Sequence, residues 1–517
     1  MTNESIRKTW RQYEAGRNYK RQIGLYSRIS ENERFYRGDQ WRGGEGLPKP
    51  VFNVISRIVD YLVSTAAVSD VKITYSDENL PFSPNSAEAE AIGKAVELLT
   101  ENAAYRWEHS RLQSLIYRLL YDAALTGDGL LYCTWDPEKD QGGGWSGDVL
   151  TLPLDSANIF PADVTNPDIQ SQDYVIISGR TTLDALRREA REAGMSEAEV
   201  SRIQPDESTD INERGAGELA KYEPEYEEGE ARVTYLIKFF RENGRVVFEK
   251  STRDALIRRV VTPCKLYPIA HFSWQAAKNC FFGNSPVSAM IPNQKYINRA
   301  YAMVMKHMTD SAFSKVIYDR TRIPEWTNEV GEAIAAVGGG NLSDAVTVVG
   351  TGKLEDGYLE LIENAVAMTK ELSGATDTAL GNVAPTNTSA ILALREAAMQ
   401  SLDRVQSELY LCLEQMACIW ADMMLCYCPD GRPLRTESGF GRIYPSKIHS
   451  LLLRVKIDVC DSARWSAAGT QSVLDRLLDG GHITLEEYLE RLPEGLIPKK
   501  ESLGEAHRKE AEDGSDH

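Results

Sequence analysis

Positive charge and paired cysteines are both scarce in this chain. Lys and Arg total 58 against 76 Asp and Glu, a net charge of −18 over 517 residues. Such a balance excludes a tight, sequence-reading nucleic-acid binder, which presents a basic footprint. It is compatible with DNA that slides past a wall, because each neutralised phosphate adds affinity and therefore friction. The 8 Cys are scattered, four of them at Cys412, Cys418, Cys426 and Cys428, and none forms a C-x-x-C pair. Zinc and dithiol motifs are thus unsupported, and buried thiols in a reducing cytoplasm are expected. Charge interrupts every apolar stretch well before about 18 residues, so no membrane span is expected, and residues 1–11 lack the apolar core of a signal peptide.

Catalytic signatures are missing as well. The seven His stand apart, and no H-E-x-x-H, G-x-S-x-G or strand–G-x-G-x-x-G–helix pattern occurs. His271, among strand-like apolar residues, reads as a satisfied core histidine. The run Val349-Gly350-Thr351-Gly352-Lys353-Leu354 comes near a phosphate loop. It fails because Thr347 stands where the first Gly belongs and Leu354 where a magnesium-binding Ser or Thr belongs. No catalytic residue, metal ligand or cofactor is expected.

What is present is organised around residues 371–428. Apolar residues recur at Ile391, Ala398, Leu402, Val405, Leu409, Cys412, Met416, Ile419 and Met423, mostly in alternating steps of four and three, the stripe of one helix face. The pattern predicts a helix from Ser389 to Cys428, about 60 Å long at the usual rise. The stripe by itself reads as the face of a buried core helix, and a helix of that length, too long to bury itself alone, is also expected to pack on neighbouring copies in a head-to-tail ring. Before it lies a polar loop, Gly381–Thr388, where Pro385 blocks helix and Thr386, Asn387 and Thr388 are candidate N-caps.

Upstream, a charged helical stretch ends at Phe35-Tyr36-Arg37-Gly38-Asp39-Gln40-Trp41, and Asn53-Val54-Ile55 opens an amphipathic helix. Strands are expected at 71–75, 130–135, 149–154, 174–178, 233–240, 245–249 and 266–274, with an Asn243-Gly244 hairpin turn. Helices are expected at 87–105, 108–125 and 182–192, the last capped by Thr181 or Thr182. Gly127-Asp128-Gly129 reads as a turn into a strand. The acid-rich segment 204–230 reads as a mobile surface insertion. From Ser285, an N-cap followed by Pro286 at N1, a helix runs to about Phe313. Then come strand 315–318, turn 322–324, short helix 325–337, strand 345–349 and a returning helix at 358–372. A strand at 451–459 and short helices at 466–478 and 484–492 close the chain.

The segment Leu372-Ser-Gly-Ala-Thr-Asp-Thr-Ala-Leu-Gly-Asn382, then Asn387-Thr-Ser-Ala390 and a long helix, resembles the tunnel-loop region of tailed-bacteriophage portal proteins. So do Asn32 with Phe35–Trp41, Asn53-Val54-Ile55, the Gly-Asp-Gly before a strand, and Gly283-Asn-Ser-Pro286 with Gln294–Arg299, in the same order. The resemblance covers roughly residues 30–490. It implies an α+β, portal-type fold divided as follows: a mixed α/β wing at 1–283, a first stem helix at 284–313, a small α/β clip at 314–354 and a second stem helix at 355–380. A tunnel loop at 381–388, a long spine helix and return wing strand at 389–460, helical crown at 461–498 and disordered tail at 499–517 complete it.

The resemblance further implies a dodecameric homo-oligomeric ring at one vertex of the virion, assembled in the host bacterial cytoplasm. Its implied partners are the terminase large subunit, major capsid and scaffold proteins, and head-tail adaptor or tail proteins, with double-stranded DNA passing non-specifically and no membrane. Asn382, Thr386, Asn387 and Thr388 would then face DNA, and Lys315, Arg320, Arg322 and Trp326 the terminase or adaptor. The alternatives are a metal-dependent soluble hydrolase or nuclease, which needs clustered carboxylates, and a different phage head-tail adaptor ring.

Overall fold

The computed structural model describes residues 2–67, 71–77, 86–142, 145–206, 231–312, 315–326, 334–349, 357–375, 402–436, 439–448, 453–459, 474–484 and 487–488. The charged N-terminal stretch forms α1 (Thr2–Gln22) and α2 (Leu25–Arg37), separated at Gly24, whose φ of 68° lets the chain turn between them. α3 (Val54–Ala66) begins where the Asn53 side chain accepts from Ser56 N at 3.2 Å. β1 (Val71–Asp77), α4 (Ser86–His109) and α5 (Leu112–Thr126) follow.

The wing is antiparallel throughout. β2 (Asp128–Gly142) pairs with β3 (Trp145–Leu154). β4 (Ile159–Pro161), β5 (Tyr174–Thr182), β6 (Arg232–Glu242), β7 (Arg245–Ser251) and β8 (Leu256–Val261) form a five-stranded sheet in sequence order. Between β5 and β6 lie α6 (Leu183–Glu192), capped by Thr182, and the single turn α7 (Glu197–Val200). Asn243 and Gly244 take φ of 52° and 76°, the pair of positive angles that a two-residue hairpin of the I′ type requires. β9 (Ile269–Ser273) lies against β2, giving the order β3-β2-β9.

α8 (Pro286–Ala312) leaves the wing, and β10 (Lys315–Tyr318) pairs with β11 (Val346–Val349) at its far end. α9 (Gly357–Leu372) returns along α8. α10 (Asp403–Tyr427) takes Leu402 as its N-cap, so the single uninterrupted helix expected from Ser389 to Cys428 is corrected there; residues 376–401, including the loop at 381–388, lie outside the described residues. β12 (Arg432–Thr436) and β13 (Gly439–Ile443) form a hairpin that the sequence reading missed. β14 (Leu453–Val459) pairs with β1, joining the chain's two ends in one ribbon.

α10 occupies the middle of the largest core, as the core-helix reading of its stripe expects. Its stripe, Val405, Leu409, Cys412, Met416, Ile419 and Met423, is buried within its own chain, in one apolar cluster with residues of α3 and α5, and the helix packs on β2, β3, β9 and β14. Fully burying each large side chain contributes roughly 1.5–3 kcal/mol before entropy. Polar ties fix the helix further: Tyr75 OH donates to Ala417 O at 2.9 Å, Trp420 Nε1 to Thr151 Oγ1 at 2.9 Å, and Asp422 Oδ2 accepts from Lys265 N and Leu266 N at 2.9 and 3.0 Å. Among the described residues α10 alone is long and apolar enough to cross a membrane by length and composition, although Glu408, Glu414 and Asp422 interrupt it. Its burial in this core accounts for that apolarity. Near the C-terminus, residues 474–479 are helical and Tyr488 OH donates to Asp475 Oδ1 at 2.6 Å.

Candidate functional site

α8 is rooted in a buried amide network. Gln294 and Asn298, one turn apart on α8, are 1% and 2% exposed. Gln294 Oε1 accepts from Val54 N at 3.0 Å, and its Nε2 donates to Phe52 O at 2.8 Å and Asn298 Oδ1 at 2.9 Å. Asn298 Nδ2 donates to Gln40 Oε1 at 2.7 Å, and Gln40 Nε2 donates to Phe35 O at 2.8 Å and Asn53 Oδ1 at 3.0 Å. Asn53 Nδ2 completes the network on Tyr36 O at 2.7 Å. One turn away, Asn32 donates to Leu125 O at 2.7 Å and accepts from Ser288 Oγ at 3.0 Å. The short polar patches that looked like isolated motifs thus meet at one junction. Each buried amide has its partners met, a condition under which a polar network rigidifies a core.

A second knot lies beside it. Asp128 Oδ1 accepts from Ser273 Oγ at 2.6 Å and from His271 Nε2 at 3.0 Å, and both its oxygens face Gly283 N at 2.9 Å. The residue types are those of a nucleophilic triad, but the wiring is not. The serine donates to the carboxylate directly, and the hydrogen on Nε2 is committed to the same carboxylate, so the ring cannot take the serine's proton there. His271 stacks on Phe281 at 4.5 Å, a satisfied core histidine. Gly127 and Gly129 flank this aspartate for steric reasons. A Cβ on Gly127 would stand 2.5 Å from Gly283 O, and one on Gly129 2.6 Å from Leu119 Cδ1.

Above the root, the stem exposes what globular cores hide. On α9 Tyr358, Leu361, Met368 and Leu372 lie in steps of three, seven and four, one helical face, and are 50–81% exposed. On α8 Met305 and Met308 share a side, while Met303 points about 140–160° away at about 100° per residue. Apolar side chains therefore project from opposed sides of one two-helix arm.

The β10–β11 ribbon at its tip is held by a compact turn. Asp319 Oδ1 accepts from Thr321 N at 2.9 Å and Thr321 Oγ1 at 2.6 Å, hydrogen bonds that hold its carboxyl below the usual range. Lys315 opens β10. Arg320 is exposed on the turn. Arg322 is engaged within the clip: both terminal nitrogens donate to Asn341 O at 3.3 Å, and its own carbonyl accepts from Val337 N at 2.7 Å. Trp326 stacks on Tyr318 at 5.3 Å. The expected short helix at 325–337 is corrected at its described ends, since Glu325, Trp326 and 334–337 are not helical. Ile317 on one face of the ribbon and Val348 on the other are 63% and 58% exposed. Asn382, Thr386, Asn387 and Thr388 lie outside the described residues. Among the described residues no group of three His, Cys, Asp or Glu is placed to hold a metal ion.

A rigidly rooted arm with apolar side chains on opposed faces, tipped by a ribbon exposed on both faces, defines an assembly subunit, completed by its neighbours. The chain belongs to the phage P22-like portal protein family, whose profile matches residues 11–439. Two solved structures also align with it, the neck of an empty gene transfer agent particle computed with C6 symmetry and the virion of a native gene transfer agent particle. Each does so at 13% identity over 88% of this chain and 97% of the other, with a TM-score of 0.34. No curated protein matches the chain.

Proposed function

We propose that this portal-family chain closes into a twelve-membered ring at one capsid vertex, through which genomic DNA passes. The observation that carries this reading is the pair of opposed apolar faces on the stem. A heterologous, head-to-tail contact needs two different patches on each subunit, and a ring results when the rotation closes. On this reading 1–283 is the wing, 284–313 and 355–380 the stem, 314–354 the clip, 381–388 the tunnel loop, 389–460 the spine with its return strand, 461–498 the crown and 499–517 the tail. Asn382, Thr386, Asn387 and Thr388 meet DNA as uncharged side chains that touch phosphate weakly without holding it. An acidic excess multiplied round the ring repels the duplex from the wall. Lys315, Arg320 and Trp326, on a clip that Arg322 braces, dock the terminase and later the adaptor or tail proteins, with Arg and Trp as anchors. Capsid and scaffold proteins contact the ring during assembly.

The test is mass photometry of wild type beside the Leu361→Glu/Met368→Glu double variant. Both residues are exposed in the single chain, so the variant should unfold at the wild-type temperature yet give no ring. A variant that still forms the wild-type assembly removes the stem from the interface and overturns the reading. For the loop, Asn387→Arg adds phosphate pairing in every subunit and should slow packaging in a terminase-driven DNA uptake assay. Uptake at the wild-type rate contradicts a bore-facing loop.

A further inference from the structure

A cleft of about 370 Å³ opens on the wing between the start of α1, the segment after α7 and the β7–β8 turn, lined by Ile6, Arg7, Arg202, Arg253 and Asp254. Its three arginines come from three separate stretches whose backbones are fixed. Trp10 Nε1 donates to Thr252 O at 2.7 Å and seats α1 on the turn. Thr252 N donates to Ala255 O at 2.8 Å, and Ala255 N to Thr252 Oγ1 at 3.1 Å, which leaves Arg253 and Asp254 at the tip. Arg202 precedes the buried Ile203, whose carbonyl accepts from Arg187 at 2.9 Å. All three arginine side chains are exposed, and none makes an ion pair with a described residue. The lining carries three positive charges against one carboxylate, within a chain of net charge −18.

Three guanidiniums around one concavity repel each other until an anion fills it, and the buried Ile6 floor weakens solvent screening on that side. The planar guanidinium fork grips oxyanions two oxygens at a time. The volume falls at the small end of ligand sites, roughly 300–1,000 Å³, which suits a compact polyanion and not a duplex lying along a groove. We propose that this cleft binds a phosphoryl group, either that of a free polyphosphate or nucleotide or the terminal phosphate of a nucleic acid strand. The proposal does not rest on the ring, and its failure leaves the family assignment untouched.

The experiment is isothermal titration of the full chain with inorganic pyrophosphate, with a 5′-phosphorylated oligonucleotide and with its unphosphorylated counterpart, at one ionic strength. Saturable binding of one pyrophosphate per chain is expected, weakened about tenfold by Arg202→Gln or Arg253→Gln and about a hundredfold by both, as lost charge-assisted hydrogen bonds require. Arg253→Gln should leave the unfolding temperature without ligand unchanged, whereas Arg202→Gln also gives up its attraction to the exposed Glu199 carboxylate, so Arg253→Gln is the cleaner variant. If the 5′-phosphorylated strand binds with the same losses and its counterpart does not, nucleic acid ends are a source; if pyrophosphate alone binds, the source is a free phosphate compound. No saturable binding of either phosphorylated probe overturns the proposal. So does binding that the arginine variants leave unchanged, or a Glu-rich peptide that binds the cleft and that pyrophosphate cannot displace.

Discussion

The stem root concentrates its stability in a few amides. Replacing Gln294 with Leu removes the donor to buried Asn298 Oδ1 and to Phe52 O, and leaves Val54 N with Phe52 O alone. A buried polar group left unmet costs about 1–3 kcal/mol, so Gln294→Leu should lower the unfolding temperature measurably in a differential scanning experiment, and Asn298→Leu should do the same. Lys20 makes a different kind of prediction. Its amine is buried under α1, donating to Ser156 O at 3.0 Å and Ala157 O at 2.8 Å, 3.9 Å from the Phe160 ring centroid. Burial holds it well below the usual lysine value, against the pull of Asp155 and Asp128. The unfolded chain therefore binds more protons than the folded one, and the Lys20 contribution to stability rises as pH climbs toward the ordinary lysine pKa. Unfolding temperatures of Lys20→Met and wild type, measured from pH 7 to 10, should show the variant's relative advantage shrinking as pH rises; a constant difference would mean that the amine is not shifted. None of this was legible in the sequence. A Gln or Lys in a charged helix carries no mark of the carbonyl it will meet, because that partner lies more than a hundred residues away.

Elements were more legible than residues, and the failures have physical causes. The stripe on α10, the Asn243-Gly244 turn, the Ser285 cap and the strand pair at 315–318 and 345–349 are local signals, and they formed where the sequence placed them, whereas the Asn53 cap was not read beforehand. The β12–β13 hairpin was missed because Pro433, Gly439 and Gly441 read as loop. It forms because it packs on α4, where Asn102 Nδ2 donates to Arg435 O at 2.8 Å and Gly441 lies against Leu98. The α10 stripe shows the related limit: periodicity reveals a buried face but not which chain covers it, so a core helix and a contact with neighbouring copies both fitted the sequence. Gly-Asp-Gly was read correctly as a turn, while the cause, backbone packed on backbone at Gly283, was not visible. Gly129→Val should accordingly abolish soluble expression of folded protein, since its side chain would overlap Leu119. Gly194→Ala is the control: a Cβ there meets nothing within 4 Å despite a φ of 84°, so it should cost only about 1 kcal/mol of backbone strain. Equal yields of the two variants would contradict the packing argument.

For the whole molecule, the single chain is well packed below and uncovered above. The sheets and α10 bury their apolar faces within one chain, whereas Met303, Met308, Leu361, Met368 and Leu372 are left exposed. Family membership and this division point the same way, to a protein whose working form is larger than one chain. The most direct measurement is electron microscopy of the purified protein in negative stain, alone and with its scaffold protein. Closed rings with a central hole wide enough for duplex DNA are the predicted result. Particles that remain single chains or dimers at every concentration, with scaffold present, would contradict the account.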